Sequence, residues 1–291
     1  MIGQKLIYVR AGGKKECASD TVAISAERAA DYVIGSPRGL SAVATKITSV
    51  SAPGQHGEDF QSLELDARYI TDTIHIRGKD RADMYKKRLH LLEVLNPLNG
   101  QGTLYYSNAY GEWRIPARAK VYGESNERVM KNYNNVKIEF YCEDPFWREI
   151  TPHREVLYEL QDGAQLPLTL PGTLGKMQEK LRINNTCALA VPVVITASGA
   201  FKGMCIENMT TGEHLIFEDE IAEGQTLVID TGTYSAKVLQ DGKDGFDILS
   251  PVYGSRYLRL WPGVNQIGVW FSYHDIGTKV TLDYSLMYAG V

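Results

Sequence analysis

Three consecutive acidic residues, Glu218, Asp219 and Glu220, are the first candidates for chemistry in this sequence. Two carboxylates about 5–9.5 Å apart in a cleft can hydrolyse a glycosidic bond, one as acid and the other as base or nucleophile. Neighbouring residues between two predicted strands do not define such a pair. We therefore expect a solvated acidic loop and keep a glycan hydrolase built on these residues as an alternative.

No other motif predicts a catalytic residue, a cofactor or a metal. The segment 241–247 lacks the ligand spacing and the late glutamate of a calcium loop, so we expect a hairpin turn there. The segment 172–176 lacks the spacing of a phosphate-binding loop. The six histidines are scattered, at positions 56, 75, 90, 153, 214 and 274. We expect that the protein is not an enzyme.

Five aromatic residues crowd into 21 positions near the C-terminus: Tyr253, Tyr257, Trp261, Trp270 and Tyr273. Exposed aromatic side chains can bind sugars by stacking on the apolar face of a sugar ring. Tyr and Trp are also common in strands, and aliphatic residues alternate with this cluster, so one side must belong to a core. Two interpretations remain open, the interior of a sheet and a glycan-binding site.

Composition is that of an ordinary globular protein, with 44% hydrophobic and 23% charged residues among 291. The net charge of −4 does not predict nucleic-acid binding. No apolar run approaches the ~18 residues of a membrane span, so we expect no membrane partner. The first residues lack the apolar segment of a signal peptide. Cys17, Cys142, Cys187 and Cys205 show no metal-ligand spacing, and we expect free thiols.

One helix is predicted, over residues 81–95, with Asp80 as its N-cap. Tyr85, Leu89 and Leu92 fall at i, i+4 and i+7, and Met84, Leu91 and Leu95 widen the apolar stripe that they predict. We expect a stripe of this width to pack on a sheet or on a neighbouring subunit. Alternating apolar residues predict strands around this helix. These strands are Arg68–Arg77, Thr103–Ser107, Trp113–Tyr122 and Val136–Cys142.

Changes in composition divide the chain into three parts. Residues 1–144 are predicted to form an N-terminal β domain with the helix, in which Gly35–Asp59 is a long loop or arm. Ser25–Ile34 fits either a short helix or a strand. Residues 145–175 are rich in Pro and Gly and predict a connector. Residues 176–291 are predicted to form a second β domain.

The second domain shows short strands at regular spacing with glycine-containing turns between them, which is typical of a β-sandwich. The predicted strands are Glu179–Ile183, Val191–Ser198, Met204–Asn208, Glu213–Phe217, Thr226–Asp230, Ser235–Gln240, Arg256–Leu260, Asn265–Tyr273 and Lys279–Tyr288. The fold class is therefore mainly β, a barrel- or sandwich-like domain with one helix followed by a sandwich.

An ordered series of segments from about residue 65 to 291 resembles the distal tail protein (Dit) family of long-tailed phages and prophage-derived tail particles. The series begins with the helix segment 85–92, followed by residues 95–106 and 113–117. In the second half it comprises residues 181–185, 192–199, 206–213, 223–231 and 260–267. The first sixty residues do not share this resemblance.

The resemblance implies a structural role at the virion tail tip. It implies that the N-terminal domain closes into a homo-hexameric ring between the tail tube protein and the tail hub. It also implies that a galectin-like sandwich projects outward, in some members carrying a receptor-binding protein. Such a protein is made in the host cytoplasm, and DNA passes through its ring without specific binding. Residues 1–172 hold 22 basic and 22 acidic residues, which agrees with a lumen that does not retain DNA.

Two other classes compete with this hypothesis. One is a carbohydrate-binding module that recognises host cell-wall glycan through the aromatic cluster. The other is the glycan hydrolase considered above. A six-fold ring in electron micrographs would favour the tail protein, and binding to a glycan array would favour the module.

Overall fold

The computed structural model describes residues 3–122, 133–159, 180–232, 235–240, 243–244, 257–275 and 277–291. The chain divides into two compact units. The N-terminal unit contains residues 1–150 and 288–291, and the second unit contains residues 151–287. The second unit begins and ends elsewhere than the predicted domain 176–291.

The N-terminal unit is built from ten strands and one α-helix of the first 150 residues. The strands are β1 (Lys5–Val9), β2 (Thr21–Ser25), β3 (Tyr32–Val33), β4 (Thr45–Val50), β5 (Asp59–Leu65), β6 (Arg68–Arg77), β7 (Gly102–Ser107), β8 (Glu112–Tyr122), β9 (Tyr133–Cys142) and β10 (Trp147–Glu149). The helix α1 (Arg81–Val94) and a short 3₁₀ turn (Pro97–Asn99) lie between β6 and β7.

Seven of these strands close into a barrel. They pair in the circular order β1, β2, β3, β6, β9, β8, β7 and back to β1. The pair β2–β3 is parallel and the others are antiparallel. Closure leaves no unpaired sheet edge around the ring of strands. The predicted strands 68–77, 103–107, 113–122 and 136–142 are confirmed as β6 to β9.

Alternation of apolar and polar residues explains the barrel interior. In β6, Ile70, Asp72, Ile74 and Ile76 are buried, while Tyr69, Thr71, Thr73 and His75, which alternate with them, are exposed or half-buried. Successive strand residues point to opposite sides, so one side of β6 lines the core. Within the undecided segment 25–34, the structure places the end of β2 and the short strand β3.

The predicted helix is confirmed as α1. Asp80 caps it, since the Asp80 carboxylate accepts a hydrogen bond of 2.8 Å from the Asp83 amide. The buried residues of α1 are Met84, Leu91 and Val94. The prediction of a single buried stripe is wrong at its centre, because Tyr85, Leu89 and Leu92 are exposed. The residues at its margin, Met84, Leu91 and Leu95, are buried in the core of the unit. The helix has apolar residues on two sides, and periodicity alone does not tell which side the barrel covers.

The predicted loop 35–59 contains regular structure. Strands β4 and β5 form an antiparallel hairpin, and within the described residues this hairpin is a separate two-stranded sheet. Its base is closed by the Asp66 amide, which donates a hydrogen bond of 2.9 Å to the Ala44 carbonyl. Gly54 and Gly57 adopt positive φ in the connection between the strands, a conformation that glycine allows at little cost.

The second unit is a β-sandwich, as predicted. Its strands are β11 (His153–Glu159), β12 (Lys180–Asn185), β13 (Val191–Ser198), β14 (Phe201–Asn208), β15 (Glu213–Ile221), β16 (Gln225–Asp230), β17 (Ser235–Gln240), β18 (Lys243–Asp244), β19 (Arg259–Leu260), β20 (Gly263–His274) and β21 (Lys279–Tyr284). One sheet has the order β11-β21-β13-β16-β17-β18, with β19 beside β13. The other has the order β12-β20-β14-β15.

The structure differs from the predicted domain limits on both sides of the sandwich. The predicted connector 145–175 contains β10 and β11, and its residues 160–175 lie outside the described part of the chain. The predicted strand 279–288 is two strands, β21 and β22 (Met287–Tyr288), and β22 pairs with β10. The last four residues therefore return to the N-terminal unit. Alternation predicts a strand but does not identify the sheet that it joins.

Candidate functional site

The β4–β5 hairpin presents an apolar surface to solvent. Ile47 lies opposite Leu63 in the antiparallel register, and Ser49 lies opposite Phe60. Directly opposed residues share one side of a sheet, as do residues two apart in a strand. Ile47, Phe60, Leu63 and Leu65 therefore lie on one side, and their exposed fractions range from 36% to 64%. We call these four residues the hairpin face.

The other side of the hairpin is polar except at its far end, where Val50 is exposed. Lys46 lies opposite Glu64 and Thr48 lies opposite Ser62. The hairpin is therefore amphipathic, although nothing within its own two-stranded sheet covers the apolar side. Exposed apolar patches of this kind mark interaction surfaces in folded proteins. In the sequence, Ile47, Leu63 and Leu65 alternate with polar residues, and this alternation is the signal for the hairpin. The alternating stretches are too short to distinguish two strands from a loop.

A second apolar surface lies on α1. Tyr85, Leu89 and Leu92 fall within an arc of about 60° at 3.6 residues per turn. Their exposed fractions range from 39% to 68%. The Arg81 guanidinium lies 5.7 Å from the Tyr85 ring centroid, so positive charge borders this surface. We call Tyr85, Leu89 and Leu92 the helix face.

A buried arginine anchors the segment that leads into the hairpin. The Arg68 guanidinium donates hydrogen bonds to the carbonyls of Gly39 and Leu40, at 2.6 and 2.9 Å. It also donates to the carbonyl of Pro145, at 2.8 Å, and to that of Ala289. Burial lowers the pKa of Arg68 from its usual value. The four carbonyl oxygens come from three segments of the chain, and none of them is paired within a β-sheet, so Arg68 supplies hydrogen bonds that the sheets do not.

Asp72 is a buried carboxylate in the barrel wall. One carboxylate oxygen accepts hydrogen bonds of 2.8 Å from the amides of Ser36 and Thr73. The other oxygen, Oδ2, has no partner among the described residues. Burial raises the pKa of Asp72 above its usual value, and the amide hydrogen bonds oppose that rise. A lone buried carboxylate of this kind fixes a loop and does not by itself form a catalytic pair.

The structure does not bring the four described members of the aromatic cluster together at one site. Tyr253 lies outside the described residues. Trp261 precedes β20 and Tyr273 lies near the end of β20, so they are roughly 30 Å apart at about 3.3 Å per residue. Trp270 is half-buried, with its indole against Gly268 of the same strand. Tyr257 is half-buried beside the buried Leu258.

Trp261 is held rigidly although 47% of it is exposed. The indole Nε1 donates a hydrogen bond of 3.0 Å to Glu213, and the same carboxylate accepts one of 3.2 Å from the Arg259 amide. The buried Asn265 side chain bonds both the amide and the carbonyl of Trp261, at 2.9 and 2.7 Å. Asn208, also buried, donates to Asn265 at 2.9 Å. A preorganised aromatic ring with a neighbouring carboxylate is therefore present at this end of the sandwich.

The three consecutive acidic residues lie in a strand, so the prediction of a loop is wrong, although they are exposed to solvent as expected. Glu218, Asp219 and Glu220 belong to β15, the edge strand of its sheet, and all three are exposed. Glu220 lies 3.9 Å from the Lys202 ammonium. The register of β15 with β14 shifts beside these residues, and all three side chains are exposed to solvent, so they are not enclosed in a cleft. Charges on an edge strand discourage pairing with another sheet.

The described residues contain no group of three or more His, Cys, Asp or Glu side chains that could hold a metal ion. The segments 241–247 and 172–176 lie largely or wholly outside those residues. All four cysteines are free thiols. None of the helices described is long and apolar enough to cross a membrane.

Two family models match the chain, one in each unit. A phage tail protein RIFT-related domain matches residues 31–142. The C-terminal domain of siphovirus-type tail components matches residues 186–288. No curated protein is similar to the chain in sequence.

Solved structures of phage tail proteins share the fold. The crystal structure of the SPP1 Dit protein, gp 19.1, matches with a TM-score of 0.66 and 12% identity, covering 88% of this chain and 93% of that one. That protein is described as a paradigm of the hub adsorption apparatus in phages that infect Gram-positive bacteria. Chains of the phage P2 baseplate in its activated conformation, with Ca and with Sr, match over the full length of both chains. Their TM-scores are 0.55, and the identities are 11% and 10%.

Proposed function

Because the chain belongs to the siphophage distal tail (Dit) proteins, we propose that it forms a homo-hexameric ring that joins the tail tube to the tail hub. The families that match are structural components of phage tails, and the protein is accordingly a tail or baseplate structural protein. The ring, its order and its position between tube and hub are the proposal. The proposed partners are further copies of this chain, the tail tube protein, the hub protein and a receptor-binding protein.

The observation that carries the proposal is the pair of uncovered apolar surfaces in the N-terminal unit. The hairpin face and the helix face together expose seven large apolar side chains. A chain that acted alone would leave them in water at a free-energy cost, whereas neighbours in an assembly would cover them. The neutral charge balance of residues 1–172 supports a lumen through which DNA passes without specific binding.

We propose further that the protein has no catalytic activity of its own. The strongest carboxylate candidates are exposed on an edge strand, and Asp72, a carboxylate whose pKa burial raises, lies in the barrel wall and anchors a loop. Measurement of glycan hydrolysis with Glu218→Gln and Glu220→Gln variants tests this. Turnover that these changes abolish would contradict it.

Labelling in intact particles tests the proposed position. Antibody against the second unit should decorate one end of the tail, at the level of the tip, in electron micrographs of assembled particles. Particles assembled without this chain, or label distributed along the tube, would contradict the proposed position.

A second candidate function is glycan binding at Trp261. It is favoured by the rigid hold on the half-exposed indole and by the Glu213 carboxylate that orients it. A sugar could stack on the free part of the ring and donate hydroxyl hydrogen bonds to Glu213. The original five-residue cluster does not support a single site, since its described members are spread along β20 and before it.

A glycan array with the intact protein tests this candidate. If the unchanged protein binds a glycan on the array, Trp261→Ala should abolish that binding. Tyr273→Ala is the matched control, because Tyr273 is exposed near the opposite end of β20 and should leave binding unchanged. A glycan-binding site at Trp261 would be contradicted if the unchanged protein bound no glycan on the array. It would also be contradicted if both variants lost binding to the same extent.

A further inference from the structure

We propose that the hairpin face of one copy docks on the helix face of the next copy. This inference rests on the proposed function, because it names the two surfaces that would join neighbouring chains in the ring. It is carried by three properties of the described residues: elements of similar length, opposite charge and the presence of both surfaces in the same unit.

The two elements that carry the surfaces have similar lengths. A two-stranded sheet with one apolar side needs a second layer to cover it, and a helix with an exposed apolar stripe can supply that layer. Strand β5 has 7 residues and spans about 23 Å at 3.3 Å per residue. Helix α1 has 14 residues and spans about 21 Å at 1.5 Å per residue. One element can therefore lie along the other over its full length.

The charges of the two elements are opposite. From Thr45 to Asp66 the hairpin carries four acidic residues and one lysine. Helix α1 carries four basic and two acidic residues. Glu58 lies at the border of the hairpin face, since it accepts a hydrogen bond from Ser49, which shares that side of the sheet. Arg81 borders the helix face through its contact with Tyr85.

A second copy of the chain is the occupant that these features favour. Both surfaces belong to the N-terminal unit of one chain, so each copy offers one hairpin and one helix. Contact between two different surfaces of identical chains is head-to-tail, and its repetition closes a ring when the rotation allows. Each copy in a closed ring would then cover both of its apolar surfaces.

Cross-linking between copies tests the contact. Leu63→Cys and Leu89→Cys are combined in full-length protein that also carries Cys17→Ser and Cys205→Ser. The remaining thiols, Cys142 and Cys187, are buried, and burial raises the pKa of Cys142 to about 12. Mild oxidation should produce a ladder of cross-linked chains. The matched control pairs Leu89→Cys with Thr48→Cys, which lies on the polar side of the hairpin and should produce no ladder.

A second variant tests the same contact without a cross-link. Leu63→Asp should raise the concentration at half-assembly by about tenfold or more, as expected for loss of a central apolar contact. Thr48→Asp should leave that concentration nearly unchanged. Both side chains are exposed in the single chain, so the thermal melts should coincide.

The outcomes separate this contact from the proposed ring. A ring that forms without the ladder, and that Leu63→Asp leaves intact, overturns the hairpin–helix contact and leaves the ring standing. A chain that stays monomeric both in solution at every concentration and in intact tails, and that gives no ladder in either, overturns both. A disulfide confined to single chains also contradicts the contact between copies.

Discussion

Arg68 donates hydrogen bonds to carbonyls from three segments of the N-terminal unit, including the chain end at Ala289. Its removal would take this donor from the partly buried carbonyls of Gly39, Pro145 and Ala289, whereas the Leu40 carbonyl keeps the Trp147 indole as a donor. We expect Arg68→Met to lower the free energy of unfolding by roughly 2–4 kcal/mol, since each unsatisfied acceptor costs about 1–3 kcal/mol. Urea unfolding measures this, and Arg118→Met is the control.

Arg118 pairs with Glu143 on the surface, where both side chains are about half exposed. The control should change the free energy of unfolding by about 0.5 kcal/mol or less. Equal effects of the two substitutions would show that the buried network of Arg68 does not hold the segments together.

Asp72 makes stability depend on pH. Burial raises its pKa in the folded state, so the folded chain binds this proton more tightly than the unfolded chain does. Its contribution to stability is greatest below the unfolded pKa and is lost as pH rises through the raised folded pKa. The contribution of Asp72 to the free energy of unfolding should therefore fall as pH rises from about 3.5 to 7, and Asp72→Asn should remove that fall. A pH profile parallel to that of the unchanged protein would contradict this.

The acidic and aromatic groups show where sequence reasoning about single residues ends. Glu218 to Glu220 are adjacent in sequence, but they lie exposed on an edge strand where no cleft encloses them. Trp261 and Tyr273 are close in sequence, but the strand between them is extended. The role of Arg68 was not predictable, since its acceptors lie 28, 29, 77 and 221 positions away.

At the scale of elements, α1 has two apolar sides with different roles. Leu91 is fully buried, so Leu91→Ala should lower the free energy of unfolding by about 2–5 kcal/mol. Leu92 belongs to the exposed helix face, and Leu92→Ala should cost about 1 kcal/mol or less in the single chain. Denaturant unfolding at low protein concentration separates the two. If Leu92→Ala lowered the free energy of unfolding more than Leu91→Ala does, the barrel would contact the side of α1 that carries Leu92, which contradicts the structure.

The hairpin is an element that the barrel does not need. Its ends are joined by the hydrogen bond between Asp66 and Ala44, so a short Gly-Ser turn can replace residues 45–65. The melting temperature should change by no more than about 2 °C, whereas assembly should be lost. Deletion of residues 1–62 is a poorer experiment, because it removes β1, β2 and β3 from the barrel. Intact assembly without the hairpin would contradict its role.

Elements with long alternation were predictable, and short ones were not. Strand β6 and the capped helix α1 follow from regular patterns and a local N-cap. The hairpin was missed because its strands carry many Ser, Thr and charged residues. An exposed sheet has no core to impose a long apolar alternation on its sequence.

At the scale of the whole molecule, the chain end belongs to the first unit. Strand β22 pairs with β10, and Tyr288 donates a hydrogen bond of 2.8 Å to Glu149. Gly290 lies so close to Ser41 that a Cβ atom would be 1.8 Å from the Ser41 carbonyl oxygen. The second unit, in contrast, takes its edge strand β11 from residues that precede the predicted sandwich.

The fragment 151–287 should therefore melt cooperatively and at a higher temperature than the fragment 173–291. The shorter fragment lacks β11, which pairs with β21 along its whole length. Calorimetry of both fragments measures the difference. A more stable shorter fragment would show that β11 is not part of the sandwich.

The oligomeric state of the purified full-length protein tests the central claim most directly. Light scattering over a concentration series, with negative-stain images of the largest species, reports both mass and symmetry. The account predicts six copies of the 32.4 kDa chain in a closed ring with a central hole. A closed assembly of another order would contradict the hexamer, and a chain that stays monomeric both in solution and in intact tails would contradict the ring.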